Sequence, residues 1–530
     1  MPDEGASGAS GASRLMSPKA TLSVANNVLG AILGTTALVF IAQNMGPATL
    51  GILGYAMAFI GILSFLSDFG MGSVHRTHIK HSVDVGKCVG AYAAIRLVLL
   101  GIFSVITLVL IQLWKDGIMG AEMPEDQVVL SQLVDSMYIF LVYYVLLGIS
   151  QIATHTFDAL DSMAKVHVPA ILELVVRVSF VIFVATSALA STENGPALLA
   201  TAYAAGMIAS MLVVAMLMRS YAISIPDRLM MMSYIRSLVP VFVISMTIIM
   251  DLFLDKLVVG YFWGEYELGL YFGVQRTAVF VGVFSLSVAT LILPSVTTYF
   301  IKRDVVASWE VVNQAERYVS LVVVPTAAFY LLYGSDIIRT FLTDDFVPVV
   351  TTMDLLVIAA AVLALVLPLR SVIVAVGRPK TLFMVNIGGL SIQLMLMLVL
   401  VPDSFLGFDG FGLKGLGAAA ALLVTSIYYF FVLRYMAWRI GKILPNSRSF
   451  KHLVSAVIMV GTMYVVDWLI IPTVDWVALI FLAVLGVLAY GTSAYIMGEL
   501  DRDDYRYFKS MLNPQDTFQY VVNELVGKRA

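Results

Sequence analysis

Runs of about twenty apolar residues recur along this chain about fourteen times, and no other feature limits its fold as severely. They fall near 22–43, 51–74, 88–113, 131–152, 170–189 and 198–218, then near 238–262, 268–300, 318–334, 351–374, 381–401 and 415–437, with a last pair near 453–470 and 475–497. Each run spans a bilayer core as an α-helix, which satisfies its own backbone polar groups where no water can. The stretch 268–300 is overlong and must tilt or project from the membrane. Composition agrees: 60% of residues are hydrophobic and 13% are charged, about half the charge of a soluble chain. The expectation is an all-α polytopic membrane protein. The single cysteine, Cys88, excludes an intrachain disulfide framework and a multi-cysteine metal site, and reads as a free thiol in a helix.

Basic residues orient the spans. With the N-terminus inside, twenty-four of the 32 Lys and Arg fall on cytoplasmic segments, Arg317 and Arg434 among them, and three (Lys115, Arg339, Lys414) fall on outer loops. Those outer loops are acidic through Glu122, Glu125, Asp126, Glu265, Glu267, Asp344 and Asp345. Both termini are then cytoplasmic, on a multi-pass protein of the cell membrane. Residues 1–21 are small, polar and repetitive and read as disordered. The apolar run from Leu22 is too long for a cleavable signal peptide and stands as the first span. No loop is long enough to be a domain. In the tail, 498–530, Phe518, Val521, Val522 and Leu525 make one apolar helical face, which suits a helix lying on the membrane or the bundle, or one that docks a partner.

An internal repeat divides the spans. The turn GPATLGILGY begins at Gly46 and GEYELGLYFG at Gly264, so that Gly46/Gly264, Leu50/Leu268 and Gly51/Gly269 match at an offset of 218. Ala159-Leu160 and Ala375-Val376 match at an offset of 216. Six helices is an even number, so both copies cross the membrane in the same sense. They form an N-lobe (22–218) and a C-lobe (238–437) related by a pseudo-two-fold axis along the membrane normal, with two extra helices over 453–497. Such lobes suggest alternating access to a substrate held between them.

Four segments carry a family resemblance: GPATLGILGYAMAFIGILSFLSDFGMGS (46–73), DKLVVGYFWGEYELGLYF (255–272), DLLVIAAAVLALVLPLRSVIVAVGRPK (354–380) and GLKGLGAAAALLV (412–424). In order, spacing and topology they resemble prokaryotic polysaccharide-export flippases of the multidrug/oligosaccharidyl-lipid/polysaccharide superfamily. Lys256 departs from the arginine common in that family, keeping the charge and losing the bidentate fork. The resemblance implies a polyprenyl-linked sugar as substrate, with glycosyltransferases or a polymerase of the same pathway as partners and no nucleic acid.

Charges inside a bilayer should face protein or a water-filled cavity. Those of this chain are Arg96, Glu173, Arg177, Asp251, Asp255, Lys256 and Arg276, with Arg370 nearer the inner surface. Arg96 and Arg177 lie roughly 12 Å in from the cytoplasmic ends of their helices, and Arg276 about as deep from the outer end of its own. A lipid pyrophosphate is anionic, so Arg96, Arg177, Lys256, Arg276 and Arg370 are candidate substrate-binding cations. Arg96 and Arg276 fit structural pairing as well, and Arg370 fits a side chain reaching out to headgroups. Glu173 and Arg177 have i,i+4 spacing for an ion pair. Asp255 and Lys256 are adjacent, so they are expected to point apart, each with a partner on another helix. Asp251 and Asp255 share a face and could hold a coupling Na⁺ or H⁺, or anchor a basic residue across the lobes. Asp68, at the inner end of the second helix, is expected to fix the turn there. His75, His78 and His81 read as part of a basic loop facing headgroups, not as metal ligands, and Pro240, Pro294, Pro325 and Pro368 mark expected kinks.

The leading expectation is therefore a lipid-linked oligosaccharide flippase, not an enzyme and without a cofactor. A cation-coupled drug or metabolite antiporter of the same superfamily is the transporter alternative; twelve spans are usual there, and the extra pair speaks against it. A membrane polysaccharide polymerase or ligase would need a sizeable outer loop with acid, base or arginine clusters, and the outer loops here are short and acidic.

Overall fold

The structure is a computed structural model, which describes residues 18–82, 84–117, 126–283, 285, 299, 302, 305–441, 448–470, 474–500 and 514–526. Most of the expected disordered segment 1–21, Pro294 with most of the stretch beyond 283, and the tail residues 501–513 lie outside the described residues.

The first apolar stretch, Thr21–His81, is 61 residues long, about 90 Å as a helix and three bilayer cores in length. It cannot run straight. Helix α1 (Pro18–Leu63) breaks at Gly46, where φ is 77° and ψ 179°, a conformation glycine adopts without a Cβ penalty. The chain continues through α2 (Phe65–Asp68) and α3 (Met71–His81). Both ends of the stretch then meet one helical turn-around, from α5 (Gln127–Ala159) into α6 (Met163–Thr186): Leu22 packs on Ala164, and His75 bonds Thr156 at 2.9 Å. The stretch is thus a hairpin of two spans.

Its counterpart is α8 (Arg228–Ala278), broken at Gly264 with φ 75° and ψ −171°. Asp255, before the break, bonds Tyr271 and Gln275 after it, so this segment also folds back. Eleven helices among the described residues are long and apolar enough to cross a membrane, and a twelfth, bent by 50° between Arg228–Leu238 and Val241–Val283, contains Pro240 at its bend. Two of these twelve are hairpins, which gives fourteen spans.

The remaining helices are α4 (Val85–Lys115), α7 (Gly195–Met218), α9 (Val305–Phe341), α10 (Val350–Ala375), α11 (Pro379–Leu400), α12 (Lys414–Gly441), α13 (Arg448–Ile470), α14 (Trp476–Ile496) and α15 (Pro514–Val526). Pro325 and Pro368 lie inside α9 and α10. Aspartates start several helices: Asp84, Asp126, Asp227 and Asp475 each accept a first-turn backbone N–H. A two-residue hairpin, β1 (Ser404–Phe405) with β2 (Phe408–Asp409), decorates the loop from α11 to α12.

Helices α1 to α7 make one lobe and α8 to α12 the other, with α1 against α8 as the main seam. The seam carries the repeat in its packing. A Cβ on Gly51 would overlap the Glu265 carbonyl, and a Cβ on Gly269 would overlap the Pro47 carbonyl. Residues 51 and 269, like 47 and 265, are equivalent at the offset of 218, so the two contacts are one contact seen twice across a pseudo-two-fold axis.

Helices α13 and α14 pack on α9 through Leu321, Tyr333, Met459, Met463 and Leu482. Buried Glu499 ties them down: it takes Lys451 at 2.9 Å and Arg317 at 3.5 Å, and lies 3.8 Å from His452. Arg317 and Arg434, expected on cytoplasmic segments, stand on the helices α9 and α12, and α9 begins well before the apolar stretch near 318–334. Arg434 pairs with buried Glu316 at 2.8 Å. Cys88 is a buried free thiol in α4. The tail helix α15 lies on the bundle, with Tyr520 and Val521 against Leu22 and Ala164, and Glu524 accepting from the first backbone N–H groups of α6. Both described ends of the chain therefore lie at the same end of the bundle, here called the basic end; the glycine turns lie at the other.

Candidate functional site between the lobes

The second hairpin positions the C-lobe charges. Asp255 is buried on α8 and accepts from the Tyr271 hydroxyl at 2.9 Å, from Gln275, and from Lys256 Nζ at 3.0 and 3.3 Å. The expectation that Asp255 and Lys256 point apart to separate partners is therefore corrected. The lysine stem is long enough to curl back, and its ammonium also donates to the Leu252 carbonyl at 3.0 Å. One turn earlier lies Asp251, whose Oδ1 is buried and has no hydrogen-bond partner among the described residues. Asp251 sits in the field of Arg370, Asp255 and Lys256. Arg370, on α10, donates to Asn386 Oδ1 at 3.4 Å and stands 5.0 Å from the centroid of the Tyr429 ring.

Arg276 follows Asp255 around the hairpin. Its side chain is exposed, its guanidinium lies 5.4 Å from the Phe272 centroid, and it makes no ion pair among the described residues. Its charge acts on Lys256 in its own lobe and on Tyr143 and Tyr144 of α5 in the other. The N-lobe meets it with an ion pair: Arg177 Nε donates to Glu173 Oε1 at 2.6 Å, while the guanidinium covers the Tyr203 ring at 4.8 Å. Tyr143 lies within the fields of Glu173 and Arg177 in its own lobe and of Arg276 in the other.

Arg96 is placed differently. Its side chain is 2% exposed and ringed by acceptors: Asp68 Oδ1 at 3.1 Å, the Gly148 carbonyl at 3.3 Å, Gln151 and the Ser67 carbonyl. Asp68 also accepts the Gly70 N–H at 3.0 Å. Together they brace a break in the second span, where Phe69 and Gly70 take positive φ of 48° and 71°.

The three histidines stand on helix α3 and not on a headgroup-facing loop. His75 is fully buried, bonded to Thr156 and, at 2.9 Å, to the Tyr234 hydroxyl; His78 bonds Ser233 at 3.0 Å. The segment looked like a loop because it is basic, yet the His75 and His78 rings find partners on other helices, while His81 is exposed at the end of α3. No group of acidic, histidine or cysteine side chains among the described residues could hold a metal. Tyr143, Tyr203, Tyr271, Gln275, Asn386 and Tyr429 were missed by charge-based reading; the available signal was polar side chains within apolar spans.

Two six-span lobes meet across a pseudo-two-fold axis, with charged side chains in the space between, a fold shared with solved transporters of the multidrug/oligosaccharidyl-lipid/polysaccharide superfamily. The chain is similar to the lipid II flippase MurJ in an inward-closed conformation, with 14% identity and a TM-score of 0.70 over 90% of this chain and 98% of that one. It is also similar to an inward-facing multidrug resistance transporter of the MATE family, with 13% identity and a TM-score of 0.60 over 81% and 100% of the two chains. A superfamily transporter from Pyrococcus furiosus matches at 14% identity and a TM-score of 0.55, over 80% and 97%. Among curated protein sequences none matches significantly. The sequence profile of the polysaccharide biosynthesis protein family matches residues 19–300, more than half of the chain, and the chain belongs to that family.

Proposed function

We propose that the protein moves a polyprenyl-(pyro)phosphate-linked oligosaccharide from the inner to the outer leaflet of a prokaryotic cell membrane by alternating access. The observation that carries this reading is Arg276: an exposed cation between the lobes with no carboxylate of its own among the described residues. Arg96, Arg177 and Lys256 each already hold a carboxylate. Arg276 and Arg370 are the cations left to meet a phosphate that has shed its water, while the prenyl tail stays in lipid. Family membership supports a saccharide substrate, and one similar structure belongs to a flippase of a lipid-linked precursor. The basic end faces the cytoplasm in this reading, with both termini inside. Asp251, with its unbonded buried oxygen, is the group that takes up a coupling H⁺ or Na⁺. Glycosyltransferases and a polymerase acting on the same lipid stand before and after the flipping step.

The test is a flipping assay in proteoliposomes with a fluorescent polyprenyl-pyrophosphate oligosaccharide. Removing a charged hydrogen bond is worth about 1.5–3 kcal/mol, so Arg276→Ala slows flipping about tenfold or more, and Arg276→Lys retains part of the rate. An unchanged rate in inserted, folded Arg276→Ala protein overturns the reading. Competition by a water-soluble organic cation would move it to the antiporters.

A further inference from the structure

The C-lobe holds a second polar feature, away from the lobe seam. A cleft of about 690 Å³ opens between α11 and α12, with Arg378 and Arg439 at one end and Thr381, Met384, Val385, Tyr428, Val432 and Met436 along its length. Arg378 starts α11 and Arg439 lies in the last turn of α12, so both guanidiniums sit at the basic end, where headgroups meet the apolar band. Both are exposed, and neither makes an ion pair among the described residues. The volume is in the range of a built small-molecule pocket.

We infer that this cleft binds an anionic phospholipid of the surrounding bilayer, its phosphate between Arg378 and Arg439 and one acyl chain along Met384, Val385, Val432 and Met436. Guanidiniums on two helices suit a phosphate's spread oxygens, and basic pockets between spans at the headgroup level recur as lipid sites. The apolar wall argues against a free inorganic anion, which would leave it bare. The outer faces flanking the cleft are apolar and exposed, through Met384, Ile387 and Met395 on α11 and Val424, Ile427 and Phe431 on α12. They face acyl chains, so the occupant comes from the bulk lipid and not from the path between the lobes.

Native mass spectrometry of delipidated full-length protein tests this with phosphatidylglycerol, phosphatidylcholine and a polyprenyl monophosphate as probes. Phosphatidylglycerol is expected to bind more tightly than phosphatidylcholine. Arg378→Gln/Arg439→Gln should weaken its binding about a hundredfold, about tenfold for each charged hydrogen bond lost. Met384→Trp, which fills the cleft and leaves the charge alone, should weaken it as well. The exposed pair Arg219→Gln/Arg228→Gln should leave it unchanged. Equal binding of the two phospholipids, or no effect of either cleft variant, overturns the inference. So does arginine-dependent binding of the polyprenyl phosphate in preference to phosphatidylglycerol, which would give the cleft to the substrate.

Discussion

The two lobes touch at both ends of the bundle, by opposite means. At the turn end the contact is backbone on backbone, Gly51 on the Glu265 carbonyl and Gly269 on the Pro47 carbonyl, backed by Gly54, where an added Cβ would meet the Phe272 ring at 3.3 Å. At the basic end it is made by side chains. Phe69 stacks on Phe242 at 4.2 Å, Gly70 receives Val241 and Ser245, and Tyr234 reaches into the N-lobe to bond His75 and the Cys88 carbonyl. A glycine contact has no adjustable part: it forms fully or is blocked. A side-chain contact can be weakened by degrees and remade with other rotamers. In the alternating-access cycle proposed above, the turn end would act as an all-or-none seal, and the basic end as a latch whose strength is tuned residue by residue.

The largest effect is expected from blocking the seal. Gly51→Val places branched carbons where the Glu265 carbonyl lies, and Gly269→Val does the same at Pro47. Either should hold the turn end apart and abolish flipping, and the two phenotypes should match because the sites are equivalent across the pseudo-two-fold. Spin labels on Asn44→Cys and Tyr266→Cys, both exposed, would report the separation; Cys88 is buried and silent. If one valine variant is inactive and the other keeps wild-type distance and rate, the seal is not the symmetric device described.

Arg96 sharpens the comparison next, because it supports the latch without touching the other lobe. Arg96→Met leaves Asp68, Gln151 and two main-chain carbonyls without their cation, and breaking a buried pair costs about 3–5 kcal/mol. The expected result is faster hydrogen exchange over 64–70 and a lower melting temperature, with Asn44–Tyr266 distances unchanged. A variant that melts normally yet fails to flip would return Arg96 to the substrate path.

The span map was legible in the sequence because lipid imposes one segment length and few charges. The Gly46/Gly264 turns were legible because only glycine holds a positive φ there without strain. The partners of buried charges were not. Two of Arg96's acceptors are main-chain carbonyls, which no residue pattern reports. Neighbouring residues on a helix start about 100° apart, which predicts divergence for Asp255 and Lys256, but a four-carbon stem spans that angle. His75 showed the same limit: the basic segment around it suggested water, while Tyr234 and Thr156 arrive from helices distant in sequence.

The smallest predicted effect is the most discriminating one. Tyr234 is fully buried, and its hydroxyl bonds His75 Nδ1 at 2.9 Å and the Cys88 carbonyl at 3.3 Å. Tyr234→Phe keeps the ring and its stacking on His78, and removes only these two bonds. Each net hydrogen bond is worth about 1 kcal/mol, so losing both should raise the population with the basic end parted by about thirtyfold. Labels on Lys80→Cys and Arg236→Cys, both exposed and on opposite sides of the latch, would read that population. The Asn44–Tyr266 distance should stay at its wild-type value in the fraction whose latch is closed. Equal responses at both ends would mean that the seal and the latch are one rigid contact, and that their different chemistry has no mechanical consequence.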